Sequence, residues 1–225
     1  MHELQYLLDF FLHLDVKLAS IIATYGTWTY AILVAVIFCE TGLVITPFLP
    51  GDSLLFAAGA FAATGSFSIE WLFVLLAGAA ILGDNVNYWI GHTVGERVFT
   101  DHSRVLKKTY LERTHRFYER YGGATTIISR FVPIIRTIAP FVAGVGAMRY
   151  RRFFLFDLAG GLLWVSLFTF GGYFFGNLPF VQKHFEWVVL VIILISLMPP
   201  CIEYLRHRRS NNPGDQPALK ARDDL

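Results

Sequence analysis

Between Lys17 and Arg97 the chain contains no lysine or arginine, and between Glu119 and Asp157 it contains no aspartate or glutamate. Charged residues make up 16% of its 225 positions against 55% hydrophobic ones, and the mean hydropathy is +0.50, which excludes an ordinary soluble domain of this size. The composition defines an all-α, polytopic integral membrane protein. Cysteine is scarce: Cys39 and Cys201 lie within or beside apolar segments and share no CxxC or Cys/His spacing. Neither a disulfide framework nor a zinc site is therefore expected, and both read as small core residues. No Gly-x-Ser-x-Gly or His-Glu-x-x-His occurs, and Ser129-Arg130 is not followed by a histidine at the spacing of a lipid phosphatase, so the sequence argues against an enzyme. Nothing in it calls for a cofactor or a metal. The net charge of +2, carried by a few basic clusters, gives no reason to expect nucleic acid as a partner. A basic n-region ahead of a cleavable apolar core is also missing, so the first span itself is expected to direct insertion.

What is present is a series of apolar segments. Leu4, Leu7, Leu8, Phe11, Leu14, Leu18, Ile21 and Ile22 recur at helical spacing apart from Gln5, Asp9, His13 and Lys17, which predicts an amphipathic helix on the membrane surface. Trp28 and Tyr30, placed as an interfacial aromatic pair, open a first span to about Thr46 that includes Glu40. Further spans are predicted from about Glu70 to Gly91, from about Phe153 to Phe175 and from about Phe185 to Tyr204, four in all. These elements form one membrane domain over 1–209, followed by a polar, disordered tail from Ser210 to Leu225.

Two apolar stretches cannot be plain spans. From Gly42 to about Ala63 the helix would be interrupted at Pro47, Pro50 and Gly51, and over 124–147 at Pro133 and Pro140. Irregular backbone at membrane depth survives only where protein or a water-filled cavity satisfies its polar groups, so both are expected to be re-entrant hairpins. The basic residues of 96–121, which carry a surface helix over 109–121, together with Arg149, Arg151 and Arg152 and the run Arg206-His-Arg-Arg209, belong in the cytoplasm. Both termini then face the cytoplasm, and the hairpins enter from opposite sides.

An internal repeat supports that inversion. Phe48-Leu49-Pro50 recurs as Phe131-Val132-Pro133 at an offset of 83, Ala58-Gly59 as Ala143-Gly144 at 85, and Gly91-x-x-x-Gly95 as Gly172-x-x-x-Gly176 at 81. Ordered matches at a nearly constant offset indicate two related halves, an architecture that places substrate and ion sites between the repeats. The Gly-x-x-x-Gly pairs are expected to let helices approach closely.

Ionisable residues at membrane depth cost about 2.5–3.5 kcal/mol each on insertion scales and need a reason. A purely structural account pairs Asp52 with Arg136 and Glu40 with Arg130 to hold the hairpins together. The functional account gives the guanidiniums of Arg130 and Arg136 to a phosphate, which their planar fork of donors matches, and makes Glu40 and Asp52 proton-responsive. Asp84, in Gly83-Asp-Asn-Val-Asn-Tyr88, is either a third acid of the site or a hydrogen-bonding group at the hairpin base with Asn85 and Asn87. Asp157, close in sequence to Arg151 and Arg152, is expected to reach the membrane interface.

The segments Phe38-Cys-Glu-Thr-Gly-Leu-Val-Ile-Thr-Pro-Phe-Leu-Pro-Gly-Asp-Ser-Leu-Leu55, Gly83-Asp-Asn-Val-Asn-Tyr88 and Arg130-Phe-Val-Pro-Ile-Ile-Arg-Thr-Ile-Ala-Pro-Phe-Val-Ala-Gly144 resemble the signature segments of the bacterial DedA family, also called SNARE-associated or VTT-domain proteins. The resemblance covers roughly residues 3 to 209 and is close to the branch that gives the family its name. It implies an inner-membrane protein with two opposed re-entrant hairpins, related to lipid scramblases and supporting envelope homeostasis. It also implies functional acids at Glu40 and Asp52 and functional arginines at Arg130 and Arg136. Expected partners are membrane lipids, including a polyprenyl phosphate such as undecaprenyl phosphate, and protons. Proton-coupled small-cation antiport and a structural role in membrane assembly stand as alternatives. Self-association into a homo-oligomer stays open.

Overall fold

The computed structural model describes residues 14–43, 51–95 and 118–176, with isolated positions at 112, 116, 178, 179, 181, 187, 188 and 191. Among the described residues seven α-helices run in order: α1 (Leu14–Tyr25), α2 (Trp28–Gly42), α3 (Gly51–Ala63), α4 (Ile69–Val94), α5 (Ala124–Ser129), α6 (Pro133–Val142) and α7 (Tyr150–Phe175), with a π-helical turn at Ala143–Ala147. The amphipathic segment before Leu14, Pro50, most of the basic loop of 96–121, the predicted span of 185–204 apart from single positions, and the tail lie outside the described residues.

Local chemistry sets the ends of the long helices. Ser68 caps α4 by accepting a hydrogen bond from the Trp71 amide at 3.4 Å, while its own hydroxyl donates to Glu70 at 2.7 Å and its amide donates to the Tyr30 hydroxyl at 2.8 Å. Those bonds fix the start of α4 against α2. The other end stops at Gly95, whose φ of 69° is a left-handed conformation that favours glycine. Helices α4 and α7 each have 26 residues and are long and apolar enough to cross a membrane. Their outer faces expose Trp71, Val74, Leu82 and Val86 on α4, and Leu155, Leu163, Leu167 and Phe174 on α7. Helix α2 is 15 residues, about 22 Å, and falls short of the roughly 30 Å hydrocarbon core.

The second broken segment is a helix, a turn and a helix. Arg130, Phe131 and Val132 tighten the chain with i→i−3 bonds to Ile127, Ile128 and Ser129. Val132 is extended, as the residue before a proline must be, and Pro133 starts α6 where its missing N–H costs nothing. Pro133 therefore shapes the segment as its sequence position suggests. Pro140 does not break it: it sits inside α6, which continues to Val142 before widening into the π-turn. Within that turn Gly146 has a φ of 137°, a conformation that favours glycine.

Packing crosses between the two halves of the repeat. A Cβ on Gly172 of α7 would collide with the carbonyl oxygen of Phe56 on α3 and lie 3.0 Å from its Cα, and one on Gly91 of α4 would meet Phe141 on α6 in the same way, also 3.0 Å from its Cα. Reciprocally, Gly59 lies against the backbone of Thr169 and Tyr173, and Gly144 against that of Tyr88 and His92. The short helix of each half, α3 or α6, is thus seated on the long helix of the other. Gly176 also serves close packing, against Ala60, but Gly95 does not: nothing lies within 4 Å of its would-be Cβ, and it acts as the α4 terminator. Two apolar clusters flank this core, one spanning α2, α3, α4 and α7, the other built from Tyr88, Tyr118, Ile138, Phe141, Val142 and Phe153.

Candidate functional site

Five helices and one turn bring six ionisable side chains together inside the protein. Glu40 comes from the last turn of α2, Asp52 from the first turn of α3, Asp84 from the middle of α4, Arg130 from the turn after α5, Arg136 from α6 and Asp157 from α7. Five of them are essentially inaccessible; Asp52, with 14% of its side chain exposed, is the one that reaches outward.

The six divide into two triads. In the first, the Arg136 Nη2 donates to Glu40 Oε1 and its Nη1 donates to Asp52 Oδ1 at 2.8 Å. The pairing of Asp52 with Arg136 is the one read from the repeat. Glu40 does not pair with Arg130, because Gly51 opens the N-terminus of α3 to it: a Cβ there would overlap the Glu40 carboxylate. That position sets the acid at the positive end of a helix as well as beside Arg136. In the second triad, the Arg130 Nη2 donates to both Asp84 Oδ2 and Asp157 Oδ1, each at 2.5 Å. Asp84 is therefore a member of the ion cluster rather than a group at the hairpin base.

Asp157 corrects the sequence reading. It is fully buried in the pair with Arg130 and does not reach the interface. Proximity in sequence to Arg151 and Arg152 was misleading, since both of those are exposed on α7. The available signal was periodicity. Asp157, Gly160, Gly161 and Trp164 follow i, i+3, i+4, i+7, one helical face, and that face is buried. The two glycines form the trough for Arg130: a Cβ on Gly160 would lie 3.2 Å from its Cδ and one on Gly161 3.3 Å from its Nη2.

Trp164 joins the triads. Its Nε1 donates to Asp52 Oδ1 at 2.8 Å, and its ring lies 5.1 Å from the Arg136 guanidinium carbon and 6.0 Å from that of Arg130. Amides complete the frame. Asn87 Nδ2 donates to the carbonyls of Thr41 and Thr137, tying α2 to α6, and Asn85 Nδ2 donates to Asp157 Oδ2 at 3.2 Å while its oxygen accepts from the Tyr150 hydroxyl at 3.0 Å. The Tyr118 hydroxyl donates to the Ala139 carbonyl at 3.1 Å, and burial pushes its pKa well above the usual phenol range, which keeps it a donor. Trp164, Asn85 and Asn87 have no charge to mark them in a sequence.

Four carboxylates face two guanidiniums, so the fully ionised site carries a formal charge of −2. Three guanidinium nitrogens, Arg130 Nε and Nη1 and Arg136 Nε, and two carboxylate oxygens, Glu40 Oε2 and Asp84 Oδ1, are buried without a hydrogen-bond partner among the described residues. Burying such groups is a poor source of stability compared with apolar packing.

A helical membrane protein whose two halves are cross-packed around buried ion triads is the class these features define. Residues 49–174 match the VTT domain. The chain is 52% identical over 213 residues to protein DedA of Escherichia coli K12, covering 93% of this chain and 97% of that one. It is 41% identical over 190 residues to an uncharacterized membrane protein of Mycobacterium tuberculosis, covering 82% and 83% of the two chains. It is 33% identical over 173 residues to the inner membrane protein YqjA of Escherichia coli K12, covering 75% and 77%. No solved structure gives a significant match. The chain belongs to the DedA family of VTT-domain membrane proteins.

Proposed function

We propose that the protein is a proton-coupled transporter of the bacterial inner membrane that carries a lipid phosphate, such as undecaprenyl phosphate or a phospholipid, between leaflets. The observation that carries the reading is Arg136, whose guanidinium is held at the seam of two hairpin helices by Glu40 and by the partly exposed Asp52. A phosphate arriving past Asp52 takes its place on Nη1 once that carboxylate is protonated, and the lipid anion and proton then enter together. Arg130 plays a different part: enclosed by Asp84 and Asp157, it holds the charge of the second triad, whose acids carry protons rather than bind the headgroup. On this reading the hairpins enter from opposite faces, both termini are cytoplasmic, and no bond of the lipid is broken, so the protein is not an enzyme.

The test is transbilayer movement of a polyprenyl phosphate in vesicles containing the purified protein. Movement accelerates in the presence of the wild type, accelerates further under an imposed proton gradient, and stops in Arg136→Ala while the variant remains folded. Unchanged movement by Arg136→Ala would sink the phosphate assignment, and release of inorganic phosphate would mark an enzyme instead. The carboxylate excess also supports proton-coupled exchange of a small cation. That alternative predicts cation-driven proton flux in vesicles that contain no lipid phosphate.

A further inference from the structure

A cavity of about 370 Å³ lies apart from the triads, between the last turns of α4, the π-turn and the start of α7. Its walls are aromatic: the ring centroids of Tyr88 and Trp89 lie 6.0 Å apart, and Tyr150 is 5.5 Å from each of them. His92 and Arg149 are its basic side chains, and no acidic side chain lines it among the described residues. The His92 Nδ1 is 3.3 Å from the Gly144 carbonyl, which holds that ring at the rim. Arg149 is exposed, makes no ion pair among the described residues, and precedes α7 as an N-cap whose side chain makes no capping bond. The first amides of α7, a 26-residue helix, are left without a side-chain cap beside the cavity, and add positive potential there.

Exposed Trp89 and Tyr150 place the opening at the level where aromatic side chains meet the headgroups, and Arg149 gives that opening a positive charge. We infer that this cavity is a binding site for the headgroup of an anionic phospholipid of the adjoining leaflet. Arg149 and the α7 N-terminus hold the phosphate, and the Tyr88, Trp89 and Tyr150 rings pack against the glycerol and upper acyl chain. The size suits a headgroup, and a quaternary ammonium would meet an uncompensated guanidinium. Occupancy also bears on the core, because the Tyr150 hydroxyl is bonded to Asn85, which is bonded to Asp157.

Native mass spectrometry of the full-length protein tests the inference, with phosphatidylglycerol and phosphatidylcholine supplied at equal concentration. The wild type retains phosphatidylglycerol preferentially, Arg149→Gln weakens that retention about tenfold, and Arg151→Gln, altering an arginine that does not line the cavity, leaves it unchanged. Millimolar inorganic phosphate does not displace the lipid, because the rings hold its apolar part. Equal retention of the two lipids, wild-type retention by Arg149→Gln, or an equal loss in Arg151→Gln would overturn the assignment. Displacement by inorganic phosphate alone would reassign the cavity to free phosphate and overturn its identity as a lipid site.

Discussion

The two arginines make opposite demands on a mutagenesis experiment. Arg130 balances two buried carboxylates, whereas one of the acids on Arg136 is partly exposed. Replacing Arg130 with Met strands Asp84 and Asp157, and removing one side of a buried pair costs about 3–5 kcal/mol. Arg136→Met costs less, since Asp52 can turn outward and recover hydration. Combining Arg130→Met with Asp84→Asn and Asp157→Asn removes the stranded charges and restores most of the loss, because a neutral set is tolerated where a broken pair is not. Thermal unfolding in detergent orders the variants: the triple substitution close to wild type, Arg136→Met below it, Arg130→Met lowest. An Arg130→Met protein as stable as wild type would show that the triad is not the charge-balanced unit its geometry describes.

At the scale of the helix, the glycines of α4 and α7 include some that meet another helix's backbone and some that meet nothing. Gly91 and Gly172 leave no room for a methyl group, while Gly78 and Gly171 on the same helices have nothing within 4 Å of a would-be Cβ. Gly91→Ala and Gly172→Ala are expected to destabilise the protein by about 1–3 kcal/mol through overpacking. Gly78→Ala and Gly171→Ala are expected to be neutral or to stabilise by up to about 1 kcal/mol through helix propensity. The melting temperatures of the four single variants check the contrast, and a uniform response would refute the cross-packing. Gly91 and Gly172 are among the glycines the repeat matched, so close helix approach at them was legible in the sequence, whereas the identity of the helix seated there was not. Element identity was legible for the same reason: α4 and α7 fall within three residues of the spans expected from hydropathy. Pro140 was less so, because a proline in an apolar run reads as a break unless the packing around it is known. The partner of Glu40 was hidden too, for it depends on the missing side chain at Gly51, a three-dimensional fact with no trace in spacing.

For the whole molecule, the cross-packing has a consequence for how the chain holds together. The long helix of each half buries its glycine face under the short helix of the other half, so neither half can satisfy its own buried surface alone. The triads follow the same division: Glu40, Asp52 and Asp84 come from the first half, Arg130, Arg136 and Asp157 from the second. Separated, the first half would bury three acids without a cation and the second two arginines with a single acid, and both would expose their close-packed glycine faces to lipid. Residues 1–108 and 109–225, divided within the basic loop, are therefore expected to be degraded when expressed singly and to accumulate and co-purify when expressed together. Introducing Arg136→Met into the second fragment should lower the yield of the complex less than Arg130→Met does, mirroring the order in the intact chain. Co-purification quantified from equal membrane fractions measures this, and accumulation of either fragment on its own as a folded, monodisperse species would contradict the interlocked arrangement. The division also accounts for the charge segregation of the sequence, a long stretch without lysine or arginine followed by one without aspartate or glutamate. Each half carries the charge that the other half needs, so recognition between the halves and assembly of the site are a single event.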